Sequence, residues 1–202
     1  MNTNPITRYS VAWVTAFTIT LVWSGINPKD LFTWILEVSP AVIALILLAT
    51  TYNRFRFTPL VYLLILGHCI ILMVGGHYTY AEVPFFDDLF GMTRNNYDKL
   101  GHLAQGFVPA MVARELLIRL NVVNGSWWRV LFVLSFCLGF SAFYELIEWW
   151  VAELTGTGAE AFLGTQGYAW DTQSDMAFAL IGASIALITL SQLHNRQLEN
   201  QA

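Results

Sequence analysis

Long apolar stretches separated by short polar segments dominate the sequence. Six stretches approach the roughly 20 apolar residues that a helix needs to cross the hydrocarbon core of a bilayer. They are Tyr9–Ile26, Leu31–Thr51, Pro59–Gly76, Lys99–Leu120, Trp127–Trp150 and Asp171–Leu193. The fourth stretch is the least apolar, but its charged residues lie toward its two ends. The pattern predicts an all-α fold, a polytopic bundle of about six transmembrane helices.

The composition supports a lipid environment. The chain has 202 residues, of which 56% are hydrophobic and only 12% are charged, whereas about a quarter of the residues of a soluble domain are charged. The 8 Trp and 8 Tyr residues suit the two membrane interfaces. The length indicates one integral membrane domain over residues 1–202. The expected partner is the lipid bilayer, and the lack of a basic block argues against nucleic acid.

Charged residues are divided unevenly between the two ends of the predicted helices. Seven basic residues lie on the side that holds both termini and three on the other, which predicts that both termini are cytoplasmic. The seven are Arg8, Arg54, Arg56, Arg114, Arg119, Arg129 and Arg196, and the three are Lys29, Arg94 and Lys99. Eleven of the 14 acidic residues fall on the opposite, predicted periplasmic side. Two long loops on that side, residues 77–97 and 151–170, are expected to form ordered lids.

The fourth and sixth stretches begin with acidic residues at helical spacing. Asp98 and His102 are four residues apart, so they share a helix face and could bind one metal ion, or the carboxylate could orient a histidine base. Alternatively, Asp98 favours the positive end of the helix dipole and His102 bonds a neighbouring helix. Asp171 and Asp175 have the same spacing. Helix capping explains Asp171, but Asp175 lies one turn deeper.

The fifth stretch carries Glu145 and Glu148 close to its C-terminal end. The helix dipole disfavours acids at that position, and a buried carboxylate needs a cation or a proton. Acids within membrane helices are functional candidates by default. His77 and Glu82, which follow the third stretch, are secondary candidates for the same site, although His77 could also be an ordinary surface residue.

Four motifs together resemble the YjdF-type family of bacterial inner-membrane proteins. They are His77-Tyr-Thr-Tyr, Asn96-Tyr-Asp-Lys-Leu-Gly-His102, Tyr144-Glu-Leu-Ile-Glu-Trp149 and Trp170-Asp-Thr-Gln-Ser-Asp175. The resemblance covers most of the chain. It implies localisation in the bacterial inner membrane, and it implies no activity.

A looser resemblance links the chain to VanZ-like proteins, in which a helix begins with the pattern Asp-Lys-x-x-His. Asp98, Lys99 and His102 match that pattern, and Glu145 and Asp171 match later acidic positions. Asp175 stands where those proteins have Asn, and Phe178 stands where they have Gly. These two departures argue against transferring any substrate.

The leading hypothesis is a periplasm-facing site for one divalent cation. Its predicted ligands are Asp98, His102, Glu145, Asp171 and Asp175, with Glu148, His77 and Glu82 as secondary members. Zinc, manganese and iron suit carboxylate plus imidazole, and magnesium suits carboxylates alone. In an enzyme, Glu145, His102 and Asp98 would be the catalytic candidates, for metal-assisted hydrolysis or group transfer on an envelope or lipid-linked substrate.

Two alternatives come from other functional classes. Acids and histidine within a bundle also form proton relays, so a proton-coupled transporter is the first alternative. The inner halves of the last three helices offer few polar residues for such a path, apart from Arg114 and Glu115. The second alternative is a structural or partner-binding membrane protein, in which the polar cluster holds the helices together.

Overall fold

The computed structural model describes residues 5–80, 82–84, 86, 95–155 and 170–201, and within these ranges it is helical without any strand. The helices are α1 (Pro5–Ser24), α2 (Leu31–Thr51), α3 (Pro59–Tyr78), α4 (Tyr97–Arg119), α5 (Ser126–Thr155) and α6 (Asp171–Glu199). The predicted all-α bundle of six helices is confirmed. Of the predicted lids, residues 77–97 and 151–170, positions 81, 85, 87–94 and 156–169 lie outside the described residues.

Four helices, α2, α3, α5 and α6, are long and apolar enough to cross a membrane, with mean hydropathy between 1.9 and 2.2. The apolar part of α1, Tyr9–Ser24, is shorter. Helix α4 is too polar to qualify, yet 12 of its 23 residues are buried. It packs against α3, α5 and α6. Protein therefore surrounds much of α4, which allows it to carry polar groups that lipid would disfavour.

Small residues bring α4 and α6 into direct backbone contact. A Cβ atom added to Gly106 would lie 1.7 Å from the carbonyl oxygen of Ala179, and one added to Gly182 would lie 2.0 Å from that of Leu103. Close approach through small residues is typical of packing between membrane helices. It fixes the relative position of the two helices that supply most of the polar cluster described below.

N-capping side chains mark the starts of α2 and α3. The Asp30 carboxylate accepts a hydrogen bond of 2.7 Å from the Thr33 amide at the start of α2. This bond lowers the pKa of Asp30 below its ordinary value. Thr58 caps α3 in the same way, with Pro59 at its first turn.

The helices alternate in direction, so the bundle has two chemically different ends. We call the end that contains Asp98, Glu145, Glu148, Asp171 and Asp175 the acidic end. We call the opposite end, which contains Arg114, Arg119 and Arg129, the basic end. The Leu60 amide donates to the Gln197 side chain at 2.9 Å, which joins the start of α3 to the last turns of α6 at the basic end.

Candidate functional site

His102 lies at the centre of the acidic end, where three helices meet. Its Nε2 atom is 3.4 Å from Asp98 Oδ1 on the same helix, 3.9 Å from Glu145 Oε1 on α5 and 3.9 Å from Asp175 Oδ2 on α6. The side chains of His102, Glu145 and Asp175 are less than a tenth exposed. The structure thus brings together four predicted site residues from three helices, namely Asp98, His102, Glu145 and Asp175.

The second ring nitrogen of His102 is held separately. His102 Nδ1 lies 3.1 Å from the amide oxygen of Gln105, one turn further along α4. An amide oxygen can only accept, so this contact favours a proton on Nδ1 and leaves Nε2 as the ring atom that faces the carboxylates. Such a partner on the far nitrogen is characteristic of histidines that bind metal, because it fixes both the tautomer and the ring orientation.

Two overlapping sets of ligand atoms share His102. Asp98, His102 and Asp175 form one set, and His102, Glu145 and Glu148 form the other, with the ligand atoms of each set within 4.8 Å of one another. Ligands bound about 2.1 Å from a tetrahedral ion lie roughly 3.4 Å apart. The spacings of 3.4–3.9 Å around His102 Nε2 are therefore close to those of a shared ion.

One oxygen of Glu145 stands out in this cluster. Glu145 Oε1 is buried, and none of the described residues donates a hydrogen bond to it. His102 Nε2, at 3.9 Å, is beyond hydrogen-bond distance. Buried carboxylate oxygens nearly always have a partner, so an orphaned one calls for a specific cause such as an ion. A cation between Glu145 and His102 would satisfy both atoms.

Lys99 offsets part of the negative charge. Its ammonium group lies 2.8 Å from Asp171 Oδ1 and 2.5 Å from Asp175 Oδ1, and 3.7 Å from Asp98 Oδ2. Asp171 is thus placed beside Lys99 at the edge of the cluster. The second oxygen of Asp175 faces His102. Lys99 and His102 both contact carboxyl groups of this cluster, and a bound cation would add to the positive charge that they supply.

Three residues outside the predicted ligand set border this cluster, namely Glu37, Tyr80 and Tyr144. Glu37 of α2 is 6% exposed, and its carboxyl group interacts with the hydroxyls of Tyr80 and Tyr144 and with the charges of Asp98 and His102. Glu37 was recognisable as a single acid within an apolar helix. Its position beside His102 depends on how α2 packs, and the sequence does not reveal that packing.

The structure places two secondary candidates elsewhere. His77 Nδ1 lies 2.9 Å from the carbonyl oxygen of Ser24, and its ring packs against Trp23 of α1 at 4.8 Å between centroids. Glu82 forms an ion pair with Lys29 and is more than half exposed. Both residues therefore connect to the α1 side of the bundle. Glu148, by contrast, belongs to the cluster around His102.

Comparisons with known proteins place the chain among membrane proteins. Residues 9–196 match the family described as "Predicted membrane protein (DUF2238)". The protein named "Inner membrane protein YjdF" from Escherichia coli (strain K12) is 52% identical over 184 residues, which cover 90% of this chain and 88% of that protein. No solved structure matches the chain significantly.

Proposed function

We propose that this chain, which belongs to the DUF2238 family of predicted membrane proteins, binds one divalent metal cation at its acidic end, with His102 as the central ligand. The chain is a multi-pass protein of the bacterial inner membrane. One observation carries the proposal. The Nε2 atom of His102 faces three carboxylates while the nearby Glu145 Oε1 is buried without a donor among the described residues.

The ligand chemistry favours a transition metal or zinc. Imidazole nitrogen with carboxylate oxygens suits zinc, manganese and iron, whereas magnesium prefers oxygen ligands and retained waters. His102 belongs to both candidate ligand sets, so the ion would lie next to its Nε2 atom. Asp98 and Asp175 or Glu145 and Glu148 would complete the first coordination sphere, and Gln105 would hold the imidazole ring.

The reaction class that fits such an ion is metal-assisted hydrolysis or group transfer. A bound divalent cation polarises a carbonyl or phosphoryl oxygen and lowers the pKa of a bound water. The predicted orientation places the acidic end on the periplasmic side, where envelope and lipid-linked molecules are the available substrates. The proposal thus extends to an enzyme that acts on a substrate of this kind.

The second candidate is a structural role for the same cluster, and the contacts of Lys99 favour it. By contacting Asp171 and Asp175, Lys99 joins α4 to α6 without any metal. The transporter alternative has less support. Between Gln105 and Arg114, α4 buries apolar residues such as Val108 and Met111, so α4 itself does not extend the polar cluster toward the basic end.

Replacing Glu145 by glutamine separates a metal site from a structural cluster. The measurement is the melting temperature of purified protein with and without added Zn²⁺ or Mn²⁺. We expect metal to raise the melting temperature of the wild type by several degrees, because a ligand that binds only the folded state stabilises it. In Glu145→Gln the metal-dependent shift should fall sharply, whatever the effect of the substitution on stability without metal.

Glu153→Gln is the matched control, since Glu153 lies on the same helix and is exposed. It removes the same charge outside the cluster and should keep the wild-type response to metal. Equal responses of both variants, or no response of the wild type, would leave the structural role as the better account.

A further inference from the structure

The basic end of the bundle contains a cavity that the acidic-end site does not use. Its volume is about 190 Å³, more than a single water needs. It lies between α4, the first turns of α5 and the last turns of α6. Its lining consists of Arg114, Ser126, Arg129, Val130, Leu187 and Ser191. Two arginines and no acidic side chain of the described residues line this cavity, so its lining is positively charged.

Arg114 carries a buried positive charge that has only neutral direct partners. Its side chain is 6% exposed. Its NH1 group donates to His194 Nδ1 at 2.8 Å, and its NH2 group donates to the Asn195 side-chain oxygen at 2.6 Å. No carboxylate of the described residues lies within 4.0 Å of it. A guanidinium offers five N–H donors, and these contacts use two of them.

The nearby acid, Glu115, is already committed to other groups. It is fully buried and accepts hydrogen bonds from the Thr58 amide at 2.9 Å, the Thr58 hydroxyl at 2.8 Å, Arg119 at 2.9 Å and His194 Nε2 at 2.9 Å. Because His194 accepts from Arg114 and donates to Glu115, the contacts fit its neutral form. The Glu115 charge is thus shared mainly with Arg119, and Arg114 remains without a direct counter-ion.

Arg129 adds a second unmatched cation to the same cavity. Its Nε atom is buried, and no described residue accepts a hydrogen bond from it. Arg129 and Arg114 line the same cavity, so their two positive charges lie close to one another. A buried unpaired donor on a cation is costly, and an anion in the cavity would remove that cost for both arginines.

We propose that this cavity binds a phosphate group, supplied either by an anionic phospholipid headgroup or by inorganic phosphate. Paired guanidinium groups match the bidentate geometry of phosphate oxygens. Ser126 is the first residue of α5, and the amides and dipole of that helix end favour an anion.

The surroundings of the cavity fit a site at the membrane interface. Val130 and Leu187 form an apolar part of its wall. Trp127 and Trp128 in the first turn of α5 are well exposed, as expected for aromatic residues at the headgroup level. The predicted orientation puts this end at the cytoplasmic leaflet, whose anionic lipids bind basic pockets between membrane helices.

The test measures the melting temperature of the protein in a neutral detergent after four separate additions. These are phosphatidylglycerol, phosphatidylcholine, sodium phosphate, and sodium chloride at the same ionic strength as the phosphate. We expect phosphatidylglycerol or phosphate, but not phosphatidylcholine or chloride, to raise the melting temperature by about 5 °C. A response to phosphatidylglycerol alone identifies the lipid as the source, and a response to phosphate alone identifies the free anion.

Arg129→Gln should abolish this response. Since Arg129 Nε has no partner among the described residues, the substitution should cost little stability without the ligand, so the variant is expected to fold. Arg196→Gln is the control, because Arg196 is exposed on α6 at the same end. It should keep the wild-type response. Equal responses of the two variants, or no selective response of the wild type, would overturn the proposal.

Discussion

At the scale of single residues, His102 is distinguished by the different environments of its two ring nitrogens. One nitrogen faces carboxylates from three helices, and the other meets the Gln105 amide oxygen. The spacing of Asp98 and His102 was sufficient to predict that they share a helix face, because that relation follows from helix geometry alone. Gln105 was not predicted, since its role depends on the ring orientation of His102.

Gln105 should act as a positioning residue for the metal. Gln105→Leu keeps all proposed ligands but removes the acceptor for His102 Nδ1, so we expect metal affinity to fall roughly 10–100-fold. Competition with a fluorescent chelator measures that affinity. Gln105→Glu keeps an acceptor at the same position and should bind metal more tightly than the leucine variant. Unchanged affinity in Gln105→Leu would argue against coordination through Nε2.

The residues that the sequence misplaced or missed have a common physical cause. His77 lies in the last turn of α3 and Glu82 follows that helix, but contacts with Ser24 and Lys29 direct both side chains toward the α1 side. His194 follows the predicted end of the sixth stretch, yet it is fully buried in α6. Which neighbour a side chain meets depends on helix packing, and periodicity along one chain does not encode that packing.

At the scale of helices, the length of each apolar stretch predicted the six helices well, because the thickness of the bilayer sets the minimum length of a helix that crosses it. The last two helices are longer than predicted, ending at Thr155 and Glu199. Each helix continues beyond its apolar stretch through more polar residues, which the prediction had placed outside the helix. Helix α4 was correctly predicted despite its charges, and its central position explains how those charges are accommodated.

The contact between α4 and α6 should be sensitive to a single methyl group. Gly106→Ala would place a Cβ atom 1.7 Å from the Ala179 carbonyl oxygen and force the helices apart. We expect a loss of about 1–3 kcal/mol or more in the free energy of unfolding, together with weaker metal binding. Unfolding in mixed micelles by a denaturing detergent measures this change.

Gly139→Ala on α5 is the matched control for this substitution. A Cβ atom at Gly139 would meet no atom within 4 Å. Alanine there should be neutral or slightly stabilising, because it favours the helix over glycine by about 1 kcal/mol. If the two alanine variants have the same free energy of unfolding, Gly106 does not control the packing of α4 against α6.

At the scale of the whole molecule, charge is segregated between two ends that apolar helices separate. The sequence predicted this segregation, because residues at the ends of successive antiparallel helices alternate between two sides. The assignment of the acidic end to the periplasm stays a prediction. Among the described residues, carboxylates gather around His102 at one end and arginines line the cavity at the other. The proposed metal cation and phosphate group would balance them.

The most direct test of the metal site is the metal content of the purified protein after loading and removal of excess ion. We predict about one equivalent of zinc or another divalent transition metal per wild-type chain. His102→Ala should retain far less, whereas His77→Ala should match the wild type because His77 lies apart from the cluster. A wild-type protein that retains no metal, or equal retention in all three proteins, would contradict the account.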